Sequence, residues 1–139
     1  MKNKYIMFAI MLLTLQAAAQ NPTYELVLRN DTLVSSTVYE FDIYILRTGS
    51  TTFELASVSP ILYYDTTVSE GTVSYTIVPG TSQLNSVQQP SDIRLTIVGN
   101  ELRISANPPP GSGSGTIISV TPGLRIGRFR ITSDSSFSN

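Results

Sequence analysis

The chain has 139 residues, enough for one hydrophobic core; 14% are charged, with nine glycines and eight prolines, no Cys, His or Trp, and a net charge of −1. Those absences exclude disulfides, thiolate nucleophiles, imidazole acid–base catalysis and zinc sites built on Cys or His. A mildly acidic chain also lacks the positive footprint that nucleic acid or anionic lipid requires, so neither is an expected partner.

Residues 1–19 read as a secretory signal peptide. Lys2 and Lys4 form a basic start, Tyr5 to Leu15 is an apolar run short for a bilayer span, and Ala17-Ala18-Ala19 offers a small-residue cleavage site, with cleavage expected after Ala19. The alternative is an uncleaved anchor or a buried helix. No cysteine follows the run, which argues against an N-terminal lipid anchor. Processing removes both lysines and leaves seven arginines against ten acids, a net charge of −3. Schiff-base chemistry and Lys–Asn crosslinks go with them, and no membrane insertion is expected once the signal is removed.

Residues 20–139 then read as a single all-β domain. Tyr24 to Arg29 alternates Tyr24, Leu26 and Leu28 against Glu25, Val27 and Arg29, and Asn30-Asp31-Thr32 has the composition of a turn. Thr37 to Arg47 places Tyr39, Phe41, Ile43 and Ile45 on one face and Glu40 and Asp42 on the other. That pattern predicts a central strand with one face on the core and a solvated outer face. Phe53 to Val58 and Ile61 to Tyr64 form a third strand interrupted at Pro60, which has no donor for a ladder and so marks an edge or a bulge. After a polar connection, Asp65 to Gly71, the stretch Thr72 to Val78 alternates Val73, Tyr75 and Ile77 against polar residues; Thr81 to Ser91 reads as a long polar loop.

The firmest local pattern is a hairpin over Asp92 to Ala106 around Gly99-Asn100. Pairing Val98 with Glu101 sets Ile97 against Leu102, Leu95 against Ile104 and Ile93 against Ala106, with Thr96 facing Arg103 and Arg94 facing Ser105. A slip of one residue would turn one strand's apolar side chains to water. Asn107 to Gly115 is a proline- and glycine-rich loop, Thr116 to Val120 a short strand, and Leu124 to Thr132 the last one. In that last strand the apolar parity changes from Leu124 and Ile126 to Phe129 and Ile131, which predicts a β-bulge at or beside Gly127. About eight strands without helical periodicity describe a two-sheet antiparallel β-sandwich, with a closed barrel as the alternative.

The succession of TVYEFDIYILRTGSTTFELASVSPILYYD, GTVSYTIVPGTSQL, IRLTIVGNELRISA and GLRIGRFRIT resembles the cohesin and family-3 carbohydrate-binding-module superfamily of β-sandwiches. It is also similar to N-terminal modules of secreted surface proteins from gliding Gram-negative bacteria. The resemblance covers Tyr24 to Phe137 and implies a jelly-roll-like sandwich without catalytic residues, used in adhesion, scaffolding or polysaccharide binding. It also implies a closing strand and further modules, so the chain reads as the N-terminal module of a longer protein or as one lacking its last strand. A missing strand leaves unpaired backbone groups that invite a protein partner through a strand edge.

Several residues bear on function. Glu40 and Asp42 point the same way, as a glycosidase pair would, yet two acids on an outer sheet face are also expected of a solvated surface. Asp65 and Glu70 share a loop and offer oxygen ligands to calcium, without a D-x-D-x-D-G pattern; no other cofactor or metal is expected. Outward Tyr44 and Tyr64 would form a small carbohydrate platform, or pack against their neighbours instead. The expected function is therefore an exported, non-enzymatic recognition, adhesion or scaffolding module, secreted or on the bacterial cell surface. The alternatives are a carbohydrate-binding accessory module of a secreted polysaccharide-degrading enzyme, or a structural spacer. Asn30-Asp31-Thr32 is an N-x-T sequon, and Asp31-Thr32 and Asp65-Thr66 resemble the Asp-Thr acceptors for O-glycans in the bacteria named above, so Thr32 and Thr66 are candidate glycosylation sites. Intact mass of the exported protein checks this: an excess of one or more sugars is expected, and the bare polypeptide mass removes the idea.

Overall fold

A computed structural model describes residues 21–92 and 95–138; the expected signal peptide and its cleavage site lie outside the described residues. Among the described residues, seven strands form two antiparallel sheets. They are β1 (Tyr24–Ser35), β2 (Val38–Arg47), β3 (Ile61–Tyr63), β4 (Val73–Val78), β5 (Leu95–Val98), β6 (Glu101–Ile104) and β7 (Leu124–Ser133). One sheet runs β1-β2-β7-β4 and the other β3-β6-β5, with the core between them. The expected two-sheet β-sandwich is the fold of the chain.

The expected central strand is central. β2 lies between β1 and β7, and its inward Phe41, Ile43 and Ile45 are all buried. Across the ladder Phe41 stands opposite Phe129, their rings 5.7 Å apart and nearly parallel, and Leu102, Ile104, Leu55 and Ile118 close the core from the other layer. Each such side chain contributes about 2 kcal/mol by leaving water. The hairpin forms in the predicted register, with Val98 opposite Glu101, Ile97 opposite Leu102, Thr96 opposite Arg103 and Leu95 opposite Ile104. The pairs involving Ile93 and Arg94 lie outside the described residues. Ile97 is nonetheless half-exposed, because β5 is an edge strand that the larger sheet covers incompletely. Gly99 has φ 63° while Asn100 keeps a negative φ, which fits a turn of type II′.

Four expectations need correction. The first strand does not stop at Arg29: β1 continues to Ser35, and the expected turn at Asn30-Asp31-Thr32 is a bulge where the register with β2 shifts. Asn30 takes φ 51°, a left-handed conformation that Asn tolerates, and its amide donates to Asp42 Oδ2 at 2.7 Å instead of to its own backbone. Phe53 to Val58 is not a laddered strand, and Thr116 to Val120 shrinks to a bridge between Glu54 and Ile117. Both stretches are still tied by backbone bonds, Leu55 N to Thr116 O at 2.8 Å and Ile118 N to Phe53 O at 3.1 Å. Finally, the loop from Thr81 to Ser91 is not wholly polar in role: it buries Leu84 and Gln88. The Gln88 amide bonds Leu55 O, Thr116 N and Thr116 Oγ1 within 2.8 Å, joining three segments that have no ladder of their own.

The bulge in the last strand is where the parity change requires it. Ile43 stands opposite Gly127 and Tyr44 opposite Arg125, so Ile126 is the extra residue. It keeps Ile126 and Phe129 both inside. A Cβ on Gly127 would meet the Phe129 ring at 3.3 Å, tighter than ordinary contact. Gly127→Val is therefore expected to destabilise the domain by about 1–3 kcal/mol through overpacking. Urea denaturation measures it, and an unchanged midpoint would contradict the packing described here.

Candidate functional site

Two surfaces stand out, one apolar and one charged, on opposite faces of the larger sheet. The apolar one follows from unequal sheet widths. β1 is an edge strand of twelve residues, and among the described residues nothing pairs with its outer edge. Its inward Leu26 and Leu28 are 38% and 47% exposed, yet the residues opposite them on β2, Ile45 and Ile43, are almost completely buried. The smaller sheet thus covers β2 and stops short of β1. Leu33, beyond the bulge, is likewise half-exposed.

This open side leads into a groove between the layers. Contiguous cavities of about 370, 190 and 140 Å³ share Tyr64 and Ile131 as walls; Leu28, Leu33, Tyr39, Tyr75 and Phe137 line the remainder. The lining is mostly apolar and aromatic, the usual character of a binding groove. Tyr39 OH donates to Asp31 at 3.0 Å, which ties the bulge of β1 to the groove wall. Burial raises the Tyr75 phenol above its ordinary range, and its hydroxyl has no hydrogen-bond partner among the described residues.

On the other face Glu40 and Asp42 are not solvated, contrary to expectation. Glu40 is 8% and Asp42 0% exposed. Arg128 and Arg130 each reach Glu40 at 2.6 Å, while Arg125, Arg128 and Asn30 surround Asp42 at 3.4, 3.5 and 2.7 Å. The cause is strand order: β7 lies beside β2 and points its arginines at the acids, and a carboxylate taken from water needs such partners. Three arginines on outward positions of one strand are visible in RIGRFR; what cannot be read there is that this strand neighbours the central one.

The predicted site residues are scattered. Tyr44 lies on the charged face, with the Arg29 guanidinium 4.9 Å from its ring centre, whereas Tyr64 packs in the groove with its ring 5.8 Å from that of Tyr75. The expected platform of Tyr44 and Tyr64 therefore does not form, because the larger sheet separates them. Tyr63, next to Tyr64 in the chain, is the one that faces water, 70% exposed, because Leu62 takes the inward position. Asp65 Oδ1 accepts from Thr67 N at 2.9 Å and Thr67 Oγ1 at 2.8 Å, capping the 3-10 turn Thr66–Val68. Those bonds, the backbone one first, lower its carboxyl below the ordinary value. Glu70 is exposed, and no group of three or more acidic side chains able to hold an ion occurs among the described residues. Thr32, on the outer face of β1 opposite Glu40, and Thr66, at the start of the 3-10 turn, are both exposed. The groove escaped the sequence reading because Leu33, Val68 and Phe137 carry no periodic signal linking them. No protein family, no characterised protein and no solved structure matches the chain.

Hydrogen bonds from Arg128 and then Arg130 hold the Glu40 carboxyl below its ordinary value of 4.5. A carboxyl lowered by folding stabilises the fold above its unfolded value and loses that contribution as pH falls through the folded one. The window therefore opens near pH 4.5 and extends downward. The melting temperature is expected to fall there, and Glu40→Gln, which cannot titrate, to start lower at neutral pH and fall less. Superposable acid limbs for the two proteins would contradict the linkage.

Proposed function

We propose that the chain is an exported, non-catalytic recognition module, of the adhesion or scaffolding kind found on bacterial surfaces or in secreted proteins, and that it engages another polypeptide through the open side of its sandwich. The observation that carries this reading is the long outer edge of β1, with half-exposed inward leucines leading into an aromatic groove. An extended segment laid on that edge gains backbone hydrogen bonds, and its alternate side chains enter the groove. The resemblance to cohesin-like sandwiches points the same way.

The acids give little support to catalysis. A glycosidase needs one carboxyl raised and reachable, but Glu40 is lowered by two arginines and Asp42 has no exposed surface. Immobilised peptides of alternating leucine and serine, and a glycan array, test the reading side by side. Peptide binding is expected for the wild type and is lost in Leu28→Lys, which leaves the melting temperature nearly unchanged because Leu28 is half-exposed. Glycan binding that Tyr44→Ala abolishes and Leu28→Lys spares would replace this reading with the carbohydrate-binding one.

A further inference from the structure

We propose that the polypeptide seated on the open side is a second copy of this chain, whose β1 pairs antiparallel with β1 across a two-fold axis through Val27. The inference rests on the recognition reading and names its partner.

Residues directly opposite one another in an antiparallel pair share a face. With a two-fold axis perpendicular to the sheet, only registers in which one residue meets its own copy satisfy that rule. The regular part of β1 runs from Tyr24 to Arg29, since the register with β2 shifts just beyond. Within it the charges choose among the axes. An axis at Glu25 or at Arg29 brings two like charges together, one at Leu28 runs Glu25 against the irregular bulge at Asn30-Asp31, and one at Leu26 leaves Glu25 opposite Val27. Only the axis at Val27 places Glu25 of each copy opposite Arg29 of the other, a pair that symmetry makes twice. Like charges directly opposite destabilise a sheet and unlike ones stabilise it.

The same register completes the inner face. Leu26 of one copy falls opposite Leu28 of the other, twice, so the apolar side chains that the smaller sheet leaves half-exposed are set beside each other. Glu25 is exposed and has no ion-pair partner among the described residues. Arg29 lies on the same outer face, its guanidinium over the Tyr44 ring of β2 and its Nη1 on Pro122 O at 2.9 Å, so pairing with Glu25 of the other copy turns this side chain from β2 toward the edge. The assembly is isologous and closed: two four-stranded sheets become one of eight, and the regular half of each β1 edge, Tyr24 to Asn30, is covered while Asp31 to Ser35 extend beyond the pairing.

Sedimentation equilibrium of the chain purified after export, over a wide concentration range, reads the result. The wild type is expected to reach twice the chain mass. Glu25→Arg and Arg29→Glu are each expected to stay at the single-chain mass, because each sets like charges opposite, while an equimolar mixture of the two returns to the doubled mass. Since Arg29→Glu sets a further acid opposite the buried Asp42 and so also weakens the fold, cysteine crosslinking gives an independent register: Val27→Cys is expected to form a covalent dimer under mild oxidation, and Glu25→Cys is not. A doubled mass retained by either charge variant, a mixture that stays monomeric, or faster crosslinking at position 25 overturns the proposal. A wild type that stays monomeric while still binding the alternating peptide overturns self-pairing and leaves the recognition reading standing; monomer without peptide binding overturns both.

Discussion

The structure depends on β2 being buried on both faces by different physics. Inward, Phe41, Ile43 and Ile45 enter the apolar core against Phe129, Ile126 and the smaller sheet. Outward, Glu40 and Asp42 leave water under an arginine cover from β7 and the Asn30 amide from β1. The second burial is costly unless every carboxylate finds a cation or a donor, so it constrains which strands lie beside β2 and in what register. Pairing with β1 and β7 meets that need; a slip of either neighbour would leave a charge stranded.

The bulges are the means by which this is reconciled with the core. In β7 the extra residue, Ile126, lets Arg125, Arg128 and Arg130 all face the acids while Ile126 and Phe129 remain inside. In β1 the left-handed Asn30 brings its amide to Asp42 and ends the regular run. The irregular half of the smaller layer is held differently, by the single buried Gln88 amide and a few backbone bonds in place of a ladder. That economy leaves the smaller layer too narrow to reach β1, and the half-exposed inward leucines of β1 are a direct consequence of the mismatch.

Legibility followed distance along the chain. The hairpin from Leu95 to Ile104 could be read residue by residue because turn and alternation are local and specify one register. The bulge beside Gly127 was legible for a similar reason, as a parity change within one strand. Asn30-Asp31-Thr32 misled, since Asn and Asp suit a turn and a left-handed bulge equally, and the choice lay with Asp42 across the ladder. The fate of Glu40 and Asp42, and the separation of Tyr44 from Tyr64, depended on strand order and layer position, which alternation alone does not encode. The groove was hidden for the same reason: its walls come from β1, β2, β7 and the segments around Tyr64 and Phe137.

The central claim is that β1 offers a free outer edge to another chain, and amide hydrogen exchange along Tyr24 to Ser35 at increasing protein concentration tests it most directly. At high dilution the account predicts an alternation, with slow amides directed at β2 and fast ones directed outward, and the fast ones from Tyr24 to Arg29 slowing as concentration rises. Outward amides that are already protected at the lowest concentration, to the degree seen in β2, would show that the edge is not free and would contradict the account.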